Sequence, residues 1–121
     1  MVAPSHDDAA PLTVEAHTRD GVPVLVLRGE IDLSNEHSLS ARIGAQLESG
    51  SPAVLLDLRG VGYMGSAGLR VLVENNQRAE DMGVRLVVVA DHSAVLRPIK
   101  ITRLDQVLEL HPVFPEPLHR A

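Results

Sequence analysis

The chain has 121 residues, 45% of them hydrophobic, with one Tyr, one Phe and no Trp. That length specifies one domain, and its core must be built from Val, Leu, Ile and Ala. A formal charge of −5, from 11 Lys and Arg against 16 Asp and Glu with no basic cluster, argues against a nucleic-acid or anionic-membrane partner. The absence of cysteine excludes disulfides, thiolate catalysis and sulfur-ligated metals. Neither a signal-peptide core nor an apolar run of membrane-spanning length occurs, so a cytoplasmic protein is expected.

In chain order, residues 1–11 carry two prolines, His6, Asp7 and Asp8 without periodicity and read as a disordered tail before a domain over 12–111. Leu12 to Thr18 and Val22 to Gly29 are apolar, β-branched segments joined across Arg19-Asp20-Gly21. An Asp-Gly pair between two such runs predicts an antiparallel hairpin. Ser34 offers a helix N-cap, Glu36 puts a negative charge in the first turn, and Leu39, Ile43 and Leu47 recur every four residues before Gly50 and Pro52. Ala53 to Leu58 and Val84 to Ala90 are short, continuous apolar runs, as expected of central parallel strands covered on both faces.

Between those two strands, Ser66 to Met82 predicts a helix ended by Gly83. Leu69, Leu72, Val73 and Ala79 form its apolar stripe, and Arg70, Glu74, Gln77, Arg78 and Asp81 its polar one. A third helical stretch from about Ser93 must place Pro98 early or at a kink, and Val107 to Leu110 predicts a short edge strand. Pro112, Pro115 and Pro117 mark residues 112–121 as a Pro-rich C-terminal tail. The fold class expected is α/β: a mixed four- to five-stranded sheet with an N-terminal antiparallel hairpin and parallel βαβ units.

The segment Gly65-Ser66-Ala67-Gly68-Leu69 lies where a buried strand gives way to a helix, and Ser66 there admits three roles: helix cap, nucleophile or phosphate acceptor. Gly60 to Gly65 matches G-x-G-x-x-G literally, the fingerprint of a dinucleotide loop, but Tyr63 and Met64 intervene before the helix, which favours a plain glycine-rich turn. The nucleophile elbow G-x-S-x-G fails because Met64 stands where its first glycine belongs. None of the six histidines is placed to serve a catalytic serine, and no two share ligand spacing on one helix. No catalytic residue, metal or cofactor is therefore expected. Asp32 and Ser34, in Gly29-Glu30-Ile31-Asp32-Leu33-Ser34, lie at the carboxyl end of another strand, and such ends converge on one rim of an open sheet.

Taken together, several ordered pieces resemble the STAS domain, specifically the bacterial anti-sigma factor antagonists: Gly29-Glu30-Ile31-Asp32; Leu56-Asp57-Leu58 with Val61 and Tyr63-Met64; Ser66 with Gly68-Leu69; and Leu104-Asp105-Gln106-Val107. The resemblance spans roughly residues 12–110. It implies a binding switch rather than an enzyme. The matching serine, Ser66, would be phosphorylated by the anti-sigma factor, a GHKL-type serine kinase; the unphosphorylated antagonist would hold that partner and free the sigma factor, and a PP2C-type phosphatase would reset it. The partner surface implied comprises Asp32, Ser34, Asn35, Tyr63, Met64, Gly65, Ser66, Ala67, Gly68 and Arg70. Many members carry Asp immediately before the acceptor and Ser or Thr after it, whereas this chain carries Gly65 and Ala67, so that Ser66 is the sole local hydroxyl. Gly65 is expected to take positive φ ahead of a Ser66 cap. Two alternatives stay open: a small nucleotide- or dinucleotide-binding protein using Gly60 to Gly65, and a STAS scaffold that is never phosphorylated.

Overall fold

A computed structural model describes residues 11–116 of the chain. The expectations for residues 1–10 and 117–121 lie outside the described residues. Five strands, β1 (Thr13–Arg19), β2 (Val22–Ile31), β3 (Ala53–Met64), β4 (Arg85–Val89) and β5 (Glu109–His111), form one sheet in the order β1-β2-β3-β4-β5. The β1/β2 pair is antiparallel and every other pair is parallel. Three helices connect them: α1 (Glu36–Leu47), α2 (Ser66–Met82) and α3 (Ser93–Ile101), the last followed by a 3-10 turn over Leu104–Gln106.

The hairpin closes where the Asp-Gly pair predicts. Arg19 pairs with Val22, and Asp20 and Gly21 take φ of 54° and 80°, both in the left-handed region that a two-residue hairpin loop of matching twist requires. In the central strands a continuous apolar run resolves into two faces, because side chains alternate across a strand whatever their polarity. Leu25, Leu27, Val54, Leu56, Leu58, Leu86 and Val88 face the three helices and join their apolar sides in the main core. Val22, Val24, Ala53, Leu55, Val87 and Val89 make a smaller cluster on the opposite face.

Phe114 packs onto that smaller cluster. The guanidinium groups of Arg19 and Arg59 lie over its ring, at 4.3 and 4.6 Å from the centroid, where the π system attracts each cation. Arg59 is itself held by Asp57 through two side-chain bonds of 2.9 and 3.0 Å. Burial on its own would raise the Asp57 carboxyl, but the side-chain and backbone hydrogen bonds from Arg59 outweigh it and leave the group below the usual carboxylate range.

Three boundaries differ most from expectation, the first of them for a tertiary reason. Strand β3 runs on from Leu58 to Met64 because β2 supplies a ladder alongside it, with Gly29 opposite Val61, Glu30 opposite Tyr63 and Ile31 opposite Met64. Gly60 and Gly62 therefore lie within a strand and form neither a turn nor a phosphate loop, which removes the basis of the dinucleotide alternative. Helix α1 starts at Glu36 with Asn35, not Ser34, as N-cap. Pro98 occupies the sixth of the nine positions of α3, and the last strand begins at Glu109 instead of Val107, which is 58% exposed. Within α2, Val73 points to solvent, while Val71 and Asn75 take the buried stripe beside Leu72 and Ala79.

Candidate functional site

Strands β2 and β3 run parallel, so their carboxyl ends emerge side by side and bring the 32–35 loop next to the start of α2. Asp32, Leu33, Ser34, Tyr63, Gly65, Ser66 and Ala67 line one shallow concavity of about 360 Å³ there. Asp32 and Ser66, separated by more than thirty positions in sequence, thus share a rim, as parallel strand ends imply.

The 32–35 loop is tied together by its own side chains. Asp32 Oδ1 accepts from the Ser34 backbone N–H at 2.9 Å and from the Ser34 hydroxyl at 2.6 Å. Asn35 accepts from the Asp32 N–H at 3.0 Å and donates from Nδ2 to the Glu30 carbonyl at 2.9 Å, which fastens the loop to the end of β2. These short-range bonds are the usual alternative that Asp, Ser and Asn offer to regular secondary structure. The loop holds Leu33 outward at 76% exposure, although a leucine gains by burial.

The start of α2 is built differently. Ser66 is the first helical residue and Gly65 the N-cap, with no side-chain capping bond and no acidic residue in the first turn. Ser66 therefore does not cap the helix; its exposed hydroxyl projects from the first turn. Gly65 has φ of −92° and ψ of −161°, an extended backbone open to any residue, so the expected positive φ is not the reason for this glycine. The reason is Tyr63: a Cβ at residue 65 would meet its hydroxyl at 2.8 Å and Cζ at 3.3 Å. Tyr63 itself remains 51% exposed and separates the concavity at Ser66 from a second one bounded by Ala94, Arg97 and Ile101 of α3.

Of the other rim residues, Met64, Ala67 and Gly68 are buried beneath Ser66 and offer no side-chain surface to a partner. A Cβ at Gly68 would meet Met64 Cγ at 2.1 Å and Ile31 Cγ2 at 3.4 Å, so this glycine lets the end of β3 pass close under the first turn of α2. Arg70 is exposed one turn beyond Ser66, with its guanidinium bidentate on Glu36 at 2.8 and 3.1 Å. That bond holds the Glu36 carboxyl below its ordinary range.

Two participants escaped the reading of individual residues. Glu36 drew notice as a first-turn acid, but nothing in the sequence signals that α1 and α2 would meet there. Leu33 lay within the expected rim without being singled out, although a lone leucine among Asp32, Ser34 and Asn35 is a visible signal.

This arrangement has known counterparts. The curated anti-sigma-F factor antagonist RsfB of Mycobacterium tuberculosis is 35% identical over 106 residues, covering 88% of this chain and 84% of its own length. RsfA of the same organism is 32% identical over 108 residues, covering 87% and 82%. A solved anti-sigma factor antagonist from Mycobacterium paratuberculosis superposes with a TM-score of 0.79 at 34% identity, over 86% of this chain and 88% of that one. The STAS domain model matches residues 13–116, from the first residue of β1 through Phe114 and on to Glu116. With the mixed sheet, the hairpin and the strand-to-helix serine all in place, the chain belongs to the STAS domain family.

Proposed function

We propose that this protein is an anti-sigma factor antagonist: it binds an anti-sigma factor that is also a GHKL-type serine kinase, frees the sigma factor, and is switched off when that kinase phosphorylates Ser66. The observation that carries the reading is the setting of Ser66, an exposed hydroxyl on the first residue of α2 beside the outward-facing Leu33 and Tyr63. The names of its relatives, RsfB and RsfA, support the same role.

The chemistry is economical. In the transfer, the γ-phosphoryl group of ATP passes to the Ser66 oxygen, ADP leaves, and the hydroxyl proton goes to a base of the kinase. The product adds about −1.5 to −2 charges at a helix start that has no acid of its own, where backbone N–H groups and the helix dipole favour an anion. The domain therefore keeps its fold while its rim gains negative charge. Binding is lost on the partner side, because new charge and bulk enter a contact that Leu33 and Tyr63 would otherwise desolvate, with Asp32 repelling from the same concavity. Exposed Ser34, Tyr63, Ser66 and Arg70 with half-buried Asp32, Asn35 and Gly65 form the partner surface; buried Met64, Ala67 and Gly68 support it. A PP2C-type phosphatase completes the cycle.

Incubation with candidate anti-sigma kinases and ATP tests the switch by intact mass. Wild type gains one phosphate and Ser66→Ala gains none. A wild type that binds the kinase yet never gains mass would leave a STAS scaffold as the function.

A further inference from the structure

The Glu36–Arg70 pair joins the start of α1 to the first turns of α2 beside the serine, and its geometry bears on how a phosphate there is read. Arg70 stands four positions after Ser66 on α2, and side chains on a helix lean toward its N-terminus, so an arginine there is within reach of the turn that begins at Ser66. Residues at that spacing are neighbours on one helix face. The guanidinium nevertheless goes across to Glu36, whose carboxylate it grips with both Nε and Nη2. Its other charged neighbours are Glu74 on α2 and, near Glu36, His37 on α1. The pair is exposed at the arginine end, with 47% of that side chain in solvent, so the guanidinium is free to rotate without unpacking the core.

We propose that Arg70 is the internal reader of the Ser66 phosphate: on phosphorylation it leaves Glu36 for the phosphate, so one modification is partly neutralised locally and the start of α1 is released from the start of α2. The proposal rests on the phosphorylation reading above. A dianion outcompetes a carboxylate for a bidentate guanidinium, and the phosphate would form one turn before Arg70 on the same helix face. Glu36 is left without its bidentate partner and faces added negative charge. The α1 start, with the 32–35 loop that precedes it, then loses its tether to α2. The switch thus acts on two parts of the rim together, at the phosphate and at the loop that carries Leu33.

The test uses the full chain with phosphoserine placed at residue 66 during translation, so no kinase is needed and a failure of kinase recognition is read separately by the mass experiment. Phosphorus NMR follows the second ionisation of the phosphoserine, ordinarily near pH 6. In otherwise wild-type protein the midpoint is expected below that value. Arg70→Gln should raise it by roughly half a unit, a change of about threefold in proton affinity; Arg70→Lys should restore part of the difference, and Glu36→Gln should lower the midpoint further. Amide shifts of residues 32–38 should move on phosphorylation in wild type and stay still in Arg70→Gln. The proposal is overturned if Arg70→Gln leaves the phosphate titration unchanged, or if Arg97→Gln, on the far side of Tyr63, moves it instead.

Discussion

The two helices that meet at the rim begin in opposite ways. Helix α1 follows a loop already fastened by Asp32, Ser34 and Asn35, and its first residue, Glu36, is an acid. Helix α2 follows a bare glycine, carries no acid in its first turn and opens with a serine that makes no capping bond. In one the helix dipole is met by the protein's own charge; in the other it is not. The first start is finished at folding, and the second gains its charge only if something is added to Ser66. A domain that must change its surface without changing its fold needs one of each: a completed start to present the contact and an incomplete one to be modified.

Breaking that contrast should have its largest effect on binding. Ser66→Asp gives α2 the acid it lacks, and it is expected to weaken binding to the anti-sigma factor on the order of a hundredfold in Kd, about 3 kcal/mol. Titration calorimetry reads this, and an unchanged Kd in a folded variant would refute it. The same variant should melt no lower than wild type, because an acid at a helix start is favourable by about 0.3–1 kcal/mol.

Gly68→Ala presses on Met64 beneath the first turn of α2 and should destabilise by about 1–3 kcal/mol in urea titration, since Met64 and Ile31 must give way. Shortening Met64 to Ala in the same chain should recover part of that loss; a strictly additive double variant would show that the close approach is not the cause. Asn35→Ala removes the bond that closes the 32–35 loop on Asp32 and the bond that ties it to Glu30 of β2, and should cost about 1–2 kcal/mol. Ser66→Ala, by contrast, should stay within about 0.5 kcal/mol of wild type, because no capping bond is lost. Equal costs at the two helix starts would erase the distinction between them.

The smallest effect concerns acid. The folded-state carboxyl of Glu36 lies below its ordinary value because Arg70 donates to it. A group lowered by folding stabilises the native state above its unfolded value of about 4.3, and that contribution disappears as pH falls through the lower folded value. Between roughly pH 5 and pH 3, Glu36→Gln should therefore lose stability less steeply than wild type, as denaturant midpoints at each pH will report. Parallel curves would place the acid sensitivity elsewhere, at Asp57 or Glu109, whose carboxyls are also lowered.

How much of this was legible depended on range. The Asp20-Gly21 hairpin, the apolar strands at Ala53 and Val84, and the span of α2 from Ser66 to Gly83 all follow from local chemistry, and each stands where the sequence places it. Ser66 on a strand-to-helix rim with Asp32 was likewise readable, since parallel strands put their carboxyl ends together. What escaped were features set by a neighbour distant in sequence. Gly60 to Met64 looks like a turn until β2 offers a ladder beside it. Phe114 looks like part of a proline-rich tail until Arg19 and Arg59 stand over its ring. Gly65 looks like a demand for positive φ until Tyr63 folds over it.

The sequence by itself determined the fold class, the family and the exposed serine, because apolar periodicity and turn chemistry act over a few residues and survive without knowledge of partners. Only the tertiary structure decided that Ser66 leads its helix instead of capping it, that Met64 and Gly68 support the rim from below, and that Arg70 is held by Glu36. Those facts depend on which elements the sheet brings within a few ångströms of each other, and a linear pattern carries no such distances.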